Sequence, residues 1–123
     1  MELGMIGLGR MGAGMSRRLH RAGVRVVGYD PDIEARTRLA QEGIETVDRP
    51  EALVATLAPS RILWLMVPAG NTVDQVLETL APLLAVGDLI VEGGNSYYRD
   101  TLRRAEKLQA QGLLFADVGV SGG

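Results

Sequence analysis

The stretch Gly7-Leu8-Gly9-Arg10-Met11-Gly12 decides the fold of this chain. It has the spacing G-x-G-x-x-G, follows an apolar run of strand length at about Leu3–Gly7, and precedes residues with helical spacing from about Met11 to Ala22. Glycines alone are a weak signal, because they are common and the pattern is short. The pattern is informative here because the glycines lie between a predicted strand and a predicted helix. It predicts a tight turn from a buried strand into an amphipathic helix.

Each glycine of this turn has a separate physical role. Gly7 permits the tight turn, Gly9 has no Cβ to obstruct a ligand, and Gly12 lets the helix pack closely on the strand. The start of the helix then offers amide groups and a positive dipole end to a diphosphate. The sequence therefore predicts that a dinucleotide binds at Gly7, Leu8, Gly9, Arg10, Met11 and Gly12.

Asp30 supplies the second half of this fingerprint. It follows a predicted strand at Val24–Tyr29, close to the roughly 20-residue offset of a carboxylate that binds the adenosine ribose. A carboxylate there repels a 2′-phosphate, and its neighbour is Pro31 and not an arginine, which favours NAD over NADP. Arg36 and Arg38 could still bend toward a phosphate. The alternative is that the glycines only form a turn and Asp30 only caps the next helix.

Strand-length apolar runs and helical stretches alternate along the whole chain, which predicts one α/β domain over residues 1–123. We expect a Rossmann-like doubly wound parallel sheet in three layers, α/β/α, with strand order 3-2-1-4-5-6. The remaining predicted strands are Glu45–Val47, Ile62–Val67, Leu89–Val91 and Leu114–Val118. The remaining predicted helices are Ile33–Glu42, one after Asp48, one after Thr72, and Asp100–Gln111.

Two of these helices have candidate capping boxes at their starts. Asp48 with Glu51, and Thr72 with Gln75, have the spacing in which each side chain accepts a hydrogen bond from the other residue's backbone N–H. On the last helix the predicted inward-facing residues are Leu102, Ala105 and Leu108.

Composition limits the possible partners. The net charge is −2 and the chain contains no cysteine, so we expect no nucleic acid, no anionic membrane and no thiolate metal site. No apolar run approaches the roughly 20 residues that span a bilayer, and no secretory signal is visible. No grouping of His, Asp and Glu suggests a metal. These features favour a cytoplasmic protein.

The second half of the chain resembles a known family. The stretches Met66-Val67-Pro68-Ala69-Gly70, 92–104 (Glu-Gly-Gly-Asn-Ser-Tyr-Tyr-Arg-Asp-Thr-Leu-Arg-Arg) and 117–123 (Asp-Val-Gly-Val-Ser-Gly-Gly) resemble the decarboxylating 6-phosphogluconate dehydrogenases. The resemblance covers essentially the whole chain. It implies that Val67, Pro68, Ala69 and Asn95 contact the cofactor, and that Asn95, Ser121, Gly122 and Gly123 contact a phosphorylated sugar acid.

Two departures from the family pattern bear on the cofactor. Many NADP-using members have Asn-Arg-Thr where this chain has Tyr29-Asp30-Pro31, and a lysine where Pro68 stands. Both changes remove positive charge near the cofactor, so the resemblance points to the NAD-preferring branch.

The resemblance also implies an oxidoreductase that converts 6-phosphogluconate to ribulose 5-phosphate and carbon dioxide. The family's lysine base and glutamate acid are expected beyond Gly123, in or near a helical domain that also builds the homo-oligomer. We expect no catalytic residue within this chain, since its one lysine, Lys107, lies mid-helix. The 123-residue chain alone is expected to bind NAD weakly and to show no turnover.

Two other functions stay open at this point. One is a β-hydroxyacid dehydrogenase of the 3-hydroxyisobutyrate or tartronate-semialdehyde type, which shares the final Val-Ser-Gly-Gly but usually has Ser-Thr in place of Gly-Gly-Asn-Ser. The other is a non-catalytic nucleotide-binding module. Arg99, Arg103 and Arg104 could attract a sugar phosphate, although a solvated helix face is the favoured interpretation. His20 is interpreted as a surface residue, and Trp64 as a core residue.

Overall fold

A computed structural model describes residues 1–94 and 97–118. The bounds of the elements agree with the sequence analysis to within about two residues. The strands are β1 (Glu2–Ile6), β2 (Arg25–Tyr29), β3 (Glu45–Val47), β4 (Ile62–Leu65), β5 (Leu89–Glu92) and β6 (Leu114–Asp117). The helices are α1 (Arg10–Arg21), α2 (Ile33–Ala40), α3 (Pro50–Thr56), α4 (Asn71–Leu80) and α5 (Tyr98–Gln109), and a 3₁₀ turn at Ala81–Leu83 follows α4.

The six strands form one sheet in the order β3-β2-β1-β4-β5-β6, which confirms the predicted topology. All five pairings are parallel, and the central strand β1 places Met5 between Gly28 of β2 and Trp64 of β4. The strand order reverses direction at β1, because β2 and β3 extend to one side and β4 to β6 to the other. In the described part of the chain no helix is long and apolar enough to cross a membrane.

Two hydrophobic clusters cover the two faces of the sheet. Neighbouring strand residues alternate between them: Met5 belongs to one cluster and Ile6 to the other. The cluster around Met5 includes side chains of α1 and α2, and the cluster around Ile6 includes side chains of α3, α4 and α5. The three predicted layers are therefore confirmed. Trp64 is partly buried against the Met5 cluster, in agreement with the sequence analysis.

Both predicted capping boxes are wrong. Helix α3 begins at Pro50 after Arg49, and α4 begins at Asn71 after Gly70, with no side-chain cap at either start. Pro50 suits a first helical position because proline has no N–H to leave unsatisfied there. Gly70 has a φ of 94°, a conformation that glycine adopts without strain. Helix α2, in contrast, has a side-chain cap, since the Glu34 amide donates to Asp32.

The predicted inward face of α5 is also partly wrong. Leu108 is buried, but Leu102 is 58% exposed, and Arg104 is buried instead, with 2% of its surface accessible. Because Arg104 and Leu108 are four residues apart, they lie on the same face of the helix. The helix is rotated so that a charged side chain points inward, where it meets a carboxylate on α4.

The amino ends of the strands are held by ion pairs. Arg61, just before β4, donates to the fully buried Asp88, just before β5, at 3.0 Å. Asp88 also accepts the backbone amides of Arg61 and Ala85 at 2.6 and 2.8 Å. Burial raises the pKa of the Asp88 carboxyl, but these three donors outweigh it and leave the pKa below its ordinary value.

Candidate functional site

A cleft of about 760 Å³ opens at the carboxyl ends of the strands. It lies where the strand order reverses, with α1 on one side and α4 on the other, which is the place where open α/β sheets bind ligands. The glycine-rich turn, the end of β2 and the two loops that follow β4 and β5 all border it. Its lining includes Gly7, Gly9, Arg10, Met11, Gly12, Tyr29, Asp30, Pro31, Met66, Val67, Pro68, Gly93 and Gly94.

The glycine-rich turn has the geometry that a diphosphate requires. Gly7 has a φ of 97°, and a Cβ on Gly12 would collide with the Gly7 carbonyl oxygen, so both positions need glycine. A Cβ on Gly9 would meet nothing within 4 Å, so the backbone there is open to the cleft. Gly9 is also the N-cap of α1. The residues present therefore fit a phosphate group against the start of this helix.

The charge around the start of α1 favours an anion. The first turn of α1 contains no acidic residue, and its first amides have no acceptor within the helix. The guanidinium-bearing Arg10 lines the cleft at the same point. A negative group would interact favourably with the helix dipole and with Arg10.

Asp30 connects the end of β2 to the glycine-rich turn. Its Oδ2 accepts the backbone amide of Leu8 at 2.8 Å, and its Oδ1 accepts the amide of Asp32 at 2.8 Å. The cap of α2 is Asp32, so the alternative in which Asp30 only caps that helix is wrong. Asp30 thus has two roles that the structure shows: it lines the cleft and fixes the position of the turn.

Arg36 and Arg38 do not belong to the lining of the cleft. Arg36 Nη1 donates to the backbone oxygens of Asp30 and Pro31 at 2.9 and 3.3 Å. Arg38 Nε donates to the Glu34 backbone oxygen at 3.4 Å. Both guanidinium groups are engaged with carbonyls of α2 and of the loop before it.

The loops after β4 and β5 touch each other at the other end of the cleft. A Cβ on Gly94 would lie 3.0 Å from the Val67 backbone oxygen, so a larger residue there would be tightly packed against the first loop. The buried Glu92 accepts the Gly94 amide through Oε1 at 3.1 Å, which holds the second loop in place. Trp64 Nε1 donates to the Met66 sulfur at 3.2 Å, directly behind the lining.

Helix α4 contributes residues that the sequence analysis missed. Thr72, Gln75 and Thr79 line the cleft, together with the partly buried Val76. Their spacing of three and four residues forms a stripe beside the apolar stripe of Val73, Leu77 and Leu80. This second stripe was visible in the sequence, but nothing local indicates that it faces a ligand and not solvent.

Most of the predicted cofactor residues come together in the cleft. Those that line it are Gly7, Gly9, Arg10, Met11, Gly12, Asp30, Val67 and Pro68. Leu8 and Ala69 are not part of the lining: Leu8 is buried in the core and contributes its amide to Asp30. The predicted contacts of Asn95, Ser121, Gly122 and Gly123 fall outside the described residues. Within residues 1–94 and 97–118, no three His, Asp or Glu side chains are grouped to hold a metal.

Arg104 does not lie on a solvated helix face, contrary to the favoured interpretation. Its Nε donates to Asp74 Oδ1 at 2.9 Å, and its Nη2 donates to the Gly70 backbone oxygen at 3.1 Å. Arg103, which is exposed, donates to the same carboxylate at 3.2 Å. Hydrogen bonds from Arg104, and secondarily from Arg103, hold the pKa of Asp74 below its ordinary value despite its partial burial. His20 is exposed, as expected.

The fold and the cleft together define a dinucleotide-binding α/β domain. Comparison with known families agrees with that class: the family described as the NAD binding domain of 6-phosphogluconate dehydrogenase matches residues 2–123. The chain belongs to this family of NAD-binding domains.

Individual relatives support the same assignment. An NAD(+)-dependent, decarboxylating 6-phosphogluconate dehydrogenase of Haloferax volcanii is 44% identical over 123 residues, which is 100% of this chain and 40% of the relative. The chain spans between about a quarter and two-fifths of the length of the curated relatives that it matches.

Solved structures share the fold closely. The 6-phosphogluconate dehydrogenase of Plasmodium falciparum, studied in apo form and with NADP+ or 6-phosphogluconate, superimposes with a TM-score of 0.93 at 26% identity. This match covers 100% of the chain and 28% of the Plasmodium protein. A 3-hydroxyisobutyrate dehydrogenase of Salmonella typhimurium gives a TM-score of 0.88 at 29% identity, over 100% of this chain and 43% of the other.

Proposed function

We propose that this domain binds NAD in the cleft, in preference to NADP. The pyrophosphate lies on the glycine-rich turn, where the start of α1 supplies amides, and the adenosine ribose lies beside Asp30. The observation that carries the proposal is the open backbone at Gly9 next to the carboxylate of Asp30. A 2′-phosphate on the ribose would meet that carboxylate, and the nearby Arg36 is already engaged with backbone oxygens.

Titration of the 123-residue chain with NAD and NADP tests this proposal. Trp64 is the only tryptophan and bonds to a residue of the lining, so its fluorescence is a direct reporter, with calorimetry as a second measurement. We expect NAD to bind about tenfold or more tightly than NADP, a ratio that corresponds to one unfavourable charge contact. Absence of saturable NAD binding would contradict the proposal.

The source of the preference is tested by Asp30→Asn. Asparagine keeps one accepting oxygen for the loop amides but removes the negative charge, so the ratio of NAD to NADP affinity should narrow several-fold. The matched control is Asp48→Asn, which removes the same charge from an exposed side chain outside the lining. If the ratio of NAD to NADP affinity is the same in the wild type and in Asp30→Asn, the charge of Asp30 is not the cause of the preference for NAD.

We further propose that the domain serves an enzyme that oxidatively decarboxylates 6-phosphogluconate to ribulose 5-phosphate. The bound nicotinamide would accept the hydride from carbon 3 of the sugar acid. The new 3-keto group then takes up the electrons released when carbon dioxide leaves, and protonation of the enediol gives the product. Membership of the family and the relatives named above support this proposal.

Within this scheme the residues of this chain bind and orient the cofactor and the sugar acid. The proton transfers are proposed for residues outside this chain. Asn95 is proposed to contact both nicotinamide and substrate, and Ser121, Gly122 and Gly123 to contact the sugar acid, all by resemblance. A lysine base and a glutamate acid are proposed for the part of a longer protein that follows Gly123. That protein is proposed to be a cytoplasmic homo-oligomer, which light scattering after gel filtration would test.

The longer protein, assayed with 6-phosphogluconate and with 3-hydroxyisobutyrate, tests the reaction. We expect turnover of the phosphorylated sugar acid, and loss of that turnover in Asn95→Ala with NAD binding largely retained. Turnover of 3-hydroxyisobutyrate alone would replace the proposed substrate by that of the β-hydroxyacid relatives. No turnover with either compound would favour a nucleotide-binding module.

A further inference from the structure

Arg104 is a buried charged side chain that bridges two helices on the second half of the sheet. Its guanidinium is held by the carboxylate of Asp74 and by the backbone oxygen of Gly70. Gly70 is the N-cap of α4 and lies two residues after Pro68, which lines the cleft together with Val67. Arg104 therefore fixes the start of α4 at the point where the lining loop enters the helix.

Arg104 itself lies in α5, the helix that follows the loop after β5, which is the second of the two loops that line the cleft. That loop leaves β5 at Gly93 and Gly94, and Gly94 comes close to the Val67 oxygen. The two lining loops thus approach each other closely at Gly94 and Val67, and Arg104 connects the helices that follow them. Movement of α5 relative to α4 would separate the loops.

The other half of the cleft is held by contacts of its own. The glycine-rich turn and Asp30 belong to β1, α1 and β2, and are held by the bond between Asp30 and Leu8. In a doubly wound sheet each half binds one mononucleotide, so the half built from β4 and β5 receives the nicotinamide nucleotide.

We propose that Arg104 is a positioning residue for the nicotinamide half of the cleft, acting through Asp74 and Gly70. The inference rests on the proposed binding of NAD. The role is proposed for Arg104 and not for its neighbour Arg103. Arg103 shares the Asp74 carboxylate but is exposed and has no bond to Gly70 among its described contacts.

The experiment compares NAD with ADP-ribose, which lacks the nicotinamide, by calorimetric titration of the 123-residue chain. In Arg104→Gln we expect the affinity for NAD to fall about tenfold, the size expected for lost charge-assisted hydrogen bonds, and the affinity for ADP-ribose to change less than about twofold. The matched control, Arg103→Gln, should leave both affinities within about twofold of the wild type. A merely structural role of Arg104 would lower both affinities together.

Three results would overturn the inference: unchanged NAD affinity in Arg104→Gln, equal loss for the two ligands, or equal loss in the control. If Arg104→Gln does not fold, Arg104→Lys carries the test. Lysine keeps the charge opposite Asp74 but cannot bond to the carboxylate and to Gly70 with a planar fork, so a selective loss of NAD affinity is again expected. A wild-type chain that binds neither ligand would remove the proposed function itself, whereas the other results leave that function standing.

Discussion

Asp30, at the carboxyl edge of the sheet, has two structural roles. Asp30 lines the cleft and also holds the Leu8 amide, so the glycine-rich turn is fixed before any ligand arrives. The sequence analysis found Asp30 from its offset but could not predict its bond to Leu8, because that bond depends on how the turn folds back. Arg104 could not be predicted either, since a charged residue on a polar helix normally faces solvent.

Gly9→Val tests the turn at the level of one residue. The φ of Gly9 is −68° and its missing Cβ faces open space, so valine is tolerated by the fold but covers the backbone that a pyrophosphate must approach. We expect NAD affinity to fall by more than about tenfold, from the loss of several charge-assisted hydrogen bonds, with a melting temperature close to that of the wild type. Gly14→Ala, within α1 and outside the lining, is the control that should keep its affinity. NAD affinity unchanged in Gly9→Val would place the diphosphate elsewhere.

At the level of elements, apolar runs, helical periodicity and helix-start signals predicted every strand and every α-helix, but they did not predict which side of α5 is buried. Side chains along a strand alternate between the two faces of the sheet because the backbone fixes a period of two residues. The order of the strands follows from the repeated βαβ units. The face of α5 depends on a partner thirty residues away, Asp74, so a local pattern of leucines gave the wrong answer for Leu102. The starts of α3 and α4 were missed because a proline and a glycine, and not a side-chain cap, set them.

Two leucines of α5 test the observed orientation. Leu108→Ala removes a buried side chain and should lower the free energy of unfolding by about 2–4 kcal/mol. Leu102→Ala alters an exposed position on the same helix and should change it by less than about 0.5 kcal/mol. Urea denaturation followed by circular dichroism measures both. Similar losses for the two variants would show that α5 is rotated as the leucine pattern had predicted.

Asp88 makes stability depend on pH. Its pKa is lowered in the folded state, so its contribution is complete above the ordinary value of 3.8 and is lost as the pH falls from there toward the folded pKa. Asp74 has a lowered pKa too and acts in the same direction. The free energy of unfolding should therefore decrease below about pH 4, with a shallower decrease in Asp88→Asn. At neutral pH this variant should lose about 2–4 kcal/mol, because Arg61 is left without its buried partner. If the free energy of unfolding depends on pH identically in the variant and the wild type, Asp88 is not a source of that dependence.

On the scale of the whole molecule, the residue positions in the first half of the site were predictable, and the contribution of α4 was not. The glycine motif and the acid offset are local patterns, which is why Gly7, Gly12 and Asp30 were found. Thr72 and Gln75 line the cleft only because α4 packs across the point where the strand order reverses. That arrangement is a property of the assembled sheet.

The 123-residue chain should bind NAD without converting 6-phosphogluconate. Its only lysine, Lys107, is exposed and borders a separate groove between α4 and α5, so the lining of the cleft contains no amine to act as base. The measurement is NADH formation followed by its absorbance, with the proposed longer protein as positive control. Turnover by the 123-residue chain would show that its own residues complete the proton transfers.

The ion pairs at the amino ends of the strands lie at the edge opposite the cleft. Neighbouring strands are joined there by Arg61 with Asp88 and by Arg25 with Glu2 and Glu45, and none of these residues belongs to the lining. We therefore expect substitutions at this edge, above all at Arg61 and Asp88, to change resistance to heat while affinity for the ligand stays the same.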